Sequence, residues 1–145
     1  MKINVIHDSS YEETEVTIKC AYVDDTLQKI INLLEAENFR LKGKLEDKTF
    51  VIPVKDVYYI ESVDERTFIY CKSKVYETEQ KLYQLEENMP KSDFVRISKS
   101  CILNIRKLNY VKPLLNGKME ANLTNGEVQI VNRHYLKGFK EKFGI

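Results

Sequence analysis

Apolar and polar residues alternate with a period of two along much of the chain. Glu15 to Cys20, Lys48 to Ile52, Val57 to Glu61 and Thr67 to Cys71 carry this pattern, as strands with one buried face require. It is clearest near the C-terminus. There Asn116-Gly117 and Asn125-Gly126 bracket Lys118 to Thr124, with Met119, Ala121 and Leu123 alternating against Glu120 and Asn122. Asn-Gly supplies the two positive-φ positions of a type I′ turn, so the pattern predicts a three-stranded meander completed by Glu127 to Val131.

Three stretches change to helical spacing. Leu27, Ile30, Ile31 and Leu34 form one apolar stripe, and Asp25 with Gln28 makes a capping box, which predicts a helix over about 25–37. Leu82, Leu85 and Met89 share a side of a second helix over about 79–89, stopped by Pro90. A third opens after Asn132 as N-cap, turns Leu136, Phe139 and Phe143 inward and ends at Gly144. The expected fold is mostly β and antiparallel, with several small sheets and short helices, preceded by a small N-terminal α/β extension. A chain of 145 residues supports one buried core. The composition changes near residue 45, which divides it into an extension, 1–44, and a main unit, 45–145.

Charge sharpens the picture. Residues 94–145 carry 10 Lys or Arg against 3 Asp or Glu, whereas residues 1–93 carry 13 against 19. The net +1 of the whole chain hides a basic half joined to an acidic one, which makes double-stranded DNA the first partner to consider. No segment approaches about 18 uninterrupted apolar residues, and the N-terminus lacks the apolar stretch of a secretory signal. The expectation is a cytoplasmic protein that does not insert into a membrane. Cys20, Cys71 and Cys101 are widely spaced and read as buried free thiols. His7 and His134 do not give metal-ligand spacing, and no Gly-rich phosphate loop or nucleophile with a base is present, so neither a metal, a cofactor nor an enzyme is expected.

Candidate contacts cluster in the basic half. Phe94 to Asn104 joins two short apolar strands through a polar stretch bearing Arg96, Ser98, Lys99 and Ser100. These side chains can meet phosphate or base edges, or the stretch is a solvated hairpin with turn-forming serines. Arg133 and His134 open the last helix, where free N–H groups favour an anion. A basic residue there opposes the helix dipole, so a purely solvated Arg133 is the less economical reading. Lys137, Lys140, Lys142, Arg106, Lys107 and Lys112 are ambiguous between solvated surface and backbone contact. The loop from Glu61 to Thr67 reads as a tight turn.

Taken together, Tyr58-Tyr59-Ile60-Glu61-Ser62, then Phe94-x-Arg96-x-x-Lys99-Ser100-x-x-x-Asn104, Leu123-x-Asn125-Gly126 and Val131-Asn132-Arg133-x-Tyr135 resemble the LytTR family of bacterial DNA-binding domains over about residues 45–145. The resemblance implies about ten strands in three small sheets, with loops entering successive major grooves. It implies contacts at Arg66 or Thr67, at Lys99 and at Arg133. The full candidate set is Arg66, Thr67, Arg96, Ser98, Lys99, Ser100, Asn104, Arg133 and His134. Ser98 replaces the histidine usual in the middle motif, and Asn132 a usual serine.

Residues 1–44 are too few for the receiver domain of many members, so the chain resembles the short stand-alone regulators, often encoded beside a small restraining membrane protein. The resemblance implies a transcription regulator on tandem half-sites. The stripe of Leu27, Ile30, Ile31 and Leu34 must pack on the main unit or on a second copy of the chain, and a homodimer joined through this segment is expected. The rival reading is an interaction module of the same fold binding an acidic partner.

Overall fold

Strands that are apolar at consecutive positions need cover on both faces, and two such strands organise this molecule. The computed structural model describes residues 1–145, the side chains at positions 36 and 38 excepted. The elements run α1 (Asp25–Asn38), β1 (Leu41–Leu45), β2 (Lys48–Ile52), β3 (Val57–Val63), β4 (Arg66–Cys71), β5 (Val75–Thr78), α2 (Leu82–Asn88), β6 (Phe94–Ser98), β7 (Cys101–Asn104), β8 (Leu108–Pro113), β9 (Met119–Leu123), β10 (Val128–Val131) and α3 (Arg133–Phe143). An antiparallel seven-stranded sheet has the order β2-β1-β5-β4-β3-β7-β6, and the meander forms a second sheet, β10-β9-β8. A single residue pairing, Lys44 with Glu77, attaches the β1–β2 hairpin to β5. That bridge merges the implied three small sheets into two.

In β3, Val57, Tyr58, Tyr59 and Ile60 are all buried, and in β7 so are Cys101 to Asn104. The half-buried alternation read in Val57 to Glu61 therefore gives way to burial on both faces. On one side Leu82 and Leu85 of α2, followed by Met89, pack with Ile60, Ile69 and Ile102. On the other, Leu103 and Cys101 meet Met119, Leu123 and Phe139 from the meander and α3. Each fully buried aliphatic or aromatic side chain contributes roughly 1.5–3 kcal/mol. The meander and α3 thus sit on the same sheet face, which places their loops beside the β6–β7 turn.

The turns differ from the Asn-Gly reading. Only Gly117 (φ 76°) and Gly126 (φ 89°) are left-handed there, while consecutive positive φ values occur at Glu46-Asp47 and Asp64-Glu65. Gly126 donates to the Leu123 carbonyl at 3.0 Å and Leu123 to that of Glu127 at 2.9 Å, the pattern of a type I turn closed by a left-handed glycine. The paired positive φ values of type I′ fall instead on the two acidic turns.

At the N-terminal end, Asp24 rather than Asp25 caps α1: its Oδ1 accepts the Leu27 N–H at 2.8 Å. Gln28 donates to Asn32 instead of reaching back, so there is no capping box. In α2, Gln84 accepts the Lys81 N–H at 2.9 Å, and the helix begins three residues later than expected. Glu15 to Cys20 forms no strand, because no other part of the chain pairs with it, and residues 1–24 are exposed throughout. Cys20 is consequently exposed, not buried, while Cys71 is half-buried and Cys101 buried. Among the described residues no helix is long and apolar enough to cross a membrane.

Candidate nucleic-acid interface

The β6–β7 turn is braced from beneath by Arg96. The guanidinium donates from Nε to the Ser98 carbonyl at 2.7 Å, from Nη1 to Glu86 at 2.5 Å and from Nη2 to the Lys99 carbonyl. Arg96 is thus turned inward and spends its donors on the turn backbone, while Lys99 stands exposed at its tip. Ser98 Oγ accepts the Ser100 N–H at 3.2 Å, a turn-forming role. The Ser100 carbonyl accepts from Ser62 N–H at 2.8 Å, tying this turn to the end of β3.

A second hydrogen bond joins the two basic positions singled out in the sequence. The register shifts between Arg96 and Ser98, and the Ile97 carbonyl accepts the Asn132 N–H at 2.9 Å. Lys99 lies two residues from that bond and Arg133 one residue from it, so both stand on one rim. Asn132 takes the N-cap position with no side-chain cap bond; the Tyr135 N–H returns to its carbonyl at 3.0 Å. Arg133 and His134 are exposed.

Arg133 is also seated. A methyl group added to Gly117 would lie 2.7 Å from Arg133 Cδ, so the aliphatic stem rests on the glycine of the β8–β9 turn. That packing offsets the unfavourable placement of a cation at a helix start. The turn 114–118 is closed by Leu114 N–H to the Lys118 carbonyl at 2.9 Å, with Leu115 fully exposed at its tip. This third rim element was missing from the sequence reading, which took Asn116-Gly117 only as a turn. Lys118 directly after it was the available signal.

Other candidates fall away from the rim. Thr67 is 4% exposed and Asn104 2%, so both are corrected to interior positions. Asn104 Nδ2 donates to the Val57 carbonyl at 2.8 Å, and its Oδ1 accepts the Arg106 N–H, which locks β7 to β3. Arg66 is exposed but makes a two-pronged ion pair with Glu77 at 2.7–2.8 Å. That bond holds the Glu77 carboxyl below the ordinary carboxylate range. The exposed tip of the β3–β4 turn is Asp64-Glu65, whose charge repels phosphate.

Several remaining cations are engaged as well. Arg106 pairs with Asp93 and Lys112 with Glu120. Lys107 lies over the Tyr58 ring, and Lys142 donates to the Lys91 carbonyl. Among the described residues neither Lys99 nor Arg133 takes part in an ion pair. Two uncommitted cations on one rim, flanked by hydroxyls and backbone turns, suit a polyanion better than a small ligand.

Comparison with known proteins bears on the domain that carries this rim. The family model of the LytTr DNA-binding domain matches residues 47–144. The sensory transduction protein LytT of Enterococcus faecalis is 31% identical over 100 residues, 69% of this chain and 41% of that protein. The chain therefore spans less than half the length of that relative. An uncharacterized HTH-type transcriptional regulator of Staphylococcus aureus (strain NCTC 8325) is 28% identical over 150 residues, covering 100% of this chain and 99% of its own. Among solved structures, a LytTr DNA-binding domain from Bacillus cereus superposes with a TM-score of 0.70 at 24% identity, over 73% of this chain and 97% of that one. That likeness is one of fold.

Proposed function

Since the chain belongs to the LytTr DNA-binding domain family, we infer that it is a DNA-binding transcription regulator that reads specific duplex sequence through its loops and the start of α3. The observation carrying this reading is the rim itself. Lys99 and Arg133 are both exposed and uncommitted, and the Ile97 to Asn132 hydrogen bond holds the backbones that bear them together.

In this reading Lys99 and Arg133 meet base edges or phosphates in the major groove, with His134, Ser98 and Ser100 beside them. Arg96 is a positioning residue that fixes the turn. Arg66 contributes only if it leaves Glu77. The protein works in the cytoplasm, where its DNA is, and catalyses no reaction. Two copies joined through residues 1–44 occupy tandem half-sites, and binding the second site at high effective concentration raises affinity without new contacts. The same segment is where a regulatory membrane protein would act.

The test is competition. Fragments retained by the purified protein from genomic DNA are identified, and binding to the recovered site is measured against scrambled duplex and an acidic polypeptide. A sequence-specific reader prefers its site by roughly 10³-fold or more. Equal displacement by all three would identify the basic half as a general acidic-partner surface instead.

A further inference from the structure

Residues 1–24 lie outside every helix and strand of the chain, yet they contain strand-type sequence. Val16 and Ile18 project from one side of an extended Glu15 to Cys20, while Glu15, Thr17 and Lys19 take the other. Val16 is 59% exposed. The neighbouring α1 is equally short of cover: Leu33 is 70% exposed, and Leu27, Ile30 and Ile31 are only half-buried. The backbone of Glu15 to Cys20 makes no hydrogen bond among the described residues of the chain, and a strand-type segment with unpaired N–H and C=O groups, followed by a helix with an uncovered apolar stripe, is an open edge that another strand completes.

The sequence of that edge identifies its occupant. Laid antiparallel on itself about Thr17, the segment sets Glu15 opposite Lys19, Val16 opposite Ile18 and Thr14 opposite Cys20. The two-fold repeats each pair, so one face carries two Glu–Lys pairs and the other four apolar side chains. Moving the centre by half a residue, to the bond between Thr17 and Ile18, sets Glu15 against Cys20 and Val16 against Lys19, and both matches are lost. Directly opposed residues are the unit of strand pairing, and an isologous contact requires self-complementarity of this kind.

We propose that residues Glu15–Cys20 of two copies pair antiparallel about Thr17 and form the junction of the dimer, with the α1 stripes packing on its apolar face. A two-stranded ribbon is marginal alone, so the two helices supply the burial that stabilises it. This rests on the dimer reading above and adds its register. The ordered partner also explains why a strand-type segment has no partner within its own chain.

Charge exchange tests it on the full-length protein by sedimentation equilibrium. Glu15→Lys places Lys opposite Lys twice, and Lys19→Glu places Glu opposite Glu twice. Each alone is expected to raise the dimer dissociation constant about tenfold. Mixing the two variants creates Lys–Glu pairs at both positions, so a heterodimer of near wild-type stability should form, and the double exchange in one chain should restore the homodimer. Far-UV circular dichroism spectra of all variants should match the wild type, since the exchanged residues are exposed.

If Ile30→Asp splits the dimer while neither charge exchange affects it, the strand register is wrong and the helix alone joins the copies. A wild-type protein monomeric at tens of micromolar removes the dimer altogether. Binding to a single half-site, measured on the same samples, stays intact in either case, which separates both failures from a failure of the DNA-binding reading.

Discussion

Arg96 and Lys99 are three residues apart, both basic, and opposite in role. The Arg96 donors are consumed by the Ser98 and Lys99 carbonyls and by Glu86, whereas Lys99 faces solvent. Lys99→Ala and Arg133→Ala should each weaken specific duplex binding by about 1–3 kcal/mol and leave the melting temperature unchanged. Arg96→Ala should lower both, because two turn carbonyls and a carboxylate lose their partner. Fluorescence anisotropy and calorimetry on the three variants separate contact from bracing; an Arg96→Ala protein of unaltered melting temperature would remove the bracing role. Buried acids give a pH prediction. Burial pushes the Cys101 thiol up to about 12 and Cys71 to about 11, from 9.0, and raises the Tyr59 phenol in the same direction. The unfolded chain then releases these protons at lower pH than the fold does. The contribution of these groups should be constant from neutral pH to about pH 9 and be lost as pH rises toward 12. A urea midpoint series at pH 8, 9.5 and 10.5 checks it, and a midpoint that rose with pH would contradict the sign.

The β8–β9 and β9–β10 hairpins place the same residue type under different constraints. Gly117 and Gly126 both have positive φ, so replacing either with Ala costs about 1–2 kcal/mol in backbone strain. Only Gly117 lies against another element: an added Cβ there meets Arg133 Cδ at 2.7 Å, whereas nothing stands within 4 Å of Gly126. Gly117→Ala should therefore lose stability and also displace Arg133, reducing DNA affinity. Gly126→Ala should lose comparable stability with affinity per folded molecule preserved. Equal affinity losses in both would mean that the β8–β9 tip does not position Arg133.

For the molecule as a whole, the basic residues are concentrated in 94–145, but many of them are engaged internally, as Arg106 and Lys112 are. The DNA-facing charge is thus smaller than the composition suggests. If about six phosphates are neutralised, log K against log salt should fall with a slope near −5, measured on the recovered site between about 50 and 200 mM salt. A slope near zero would leave the basic half without a role in duplex binding.

Apart from Glu15 to Cys20, the sequence by itself determined the strands and helices that it marked and where the chain turns, because strand alternation and helical stripes depend on neighbours two to four residues away. It placed the meander, α2 and α3, the left-handed glycines, and Lys99 and Arg133 as exposed candidates. Only tertiary structure decided that β3 and β7 are covered on both faces, since α2 and the meander arrive from elsewhere in the chain. It also turned Thr67 and Asn104 inward and gave Arg66, Arg96, Arg106 and Lys112 their acidic partners. Those decisions depend on pairs such as Arg66 with Glu77, 11 residues apart, and Asn104 with Val57, 47 apart. No local periodicity encodes such separations: they arise when folding brings two strands into register, and the energy of pairing then selects which charges remain free on the rim.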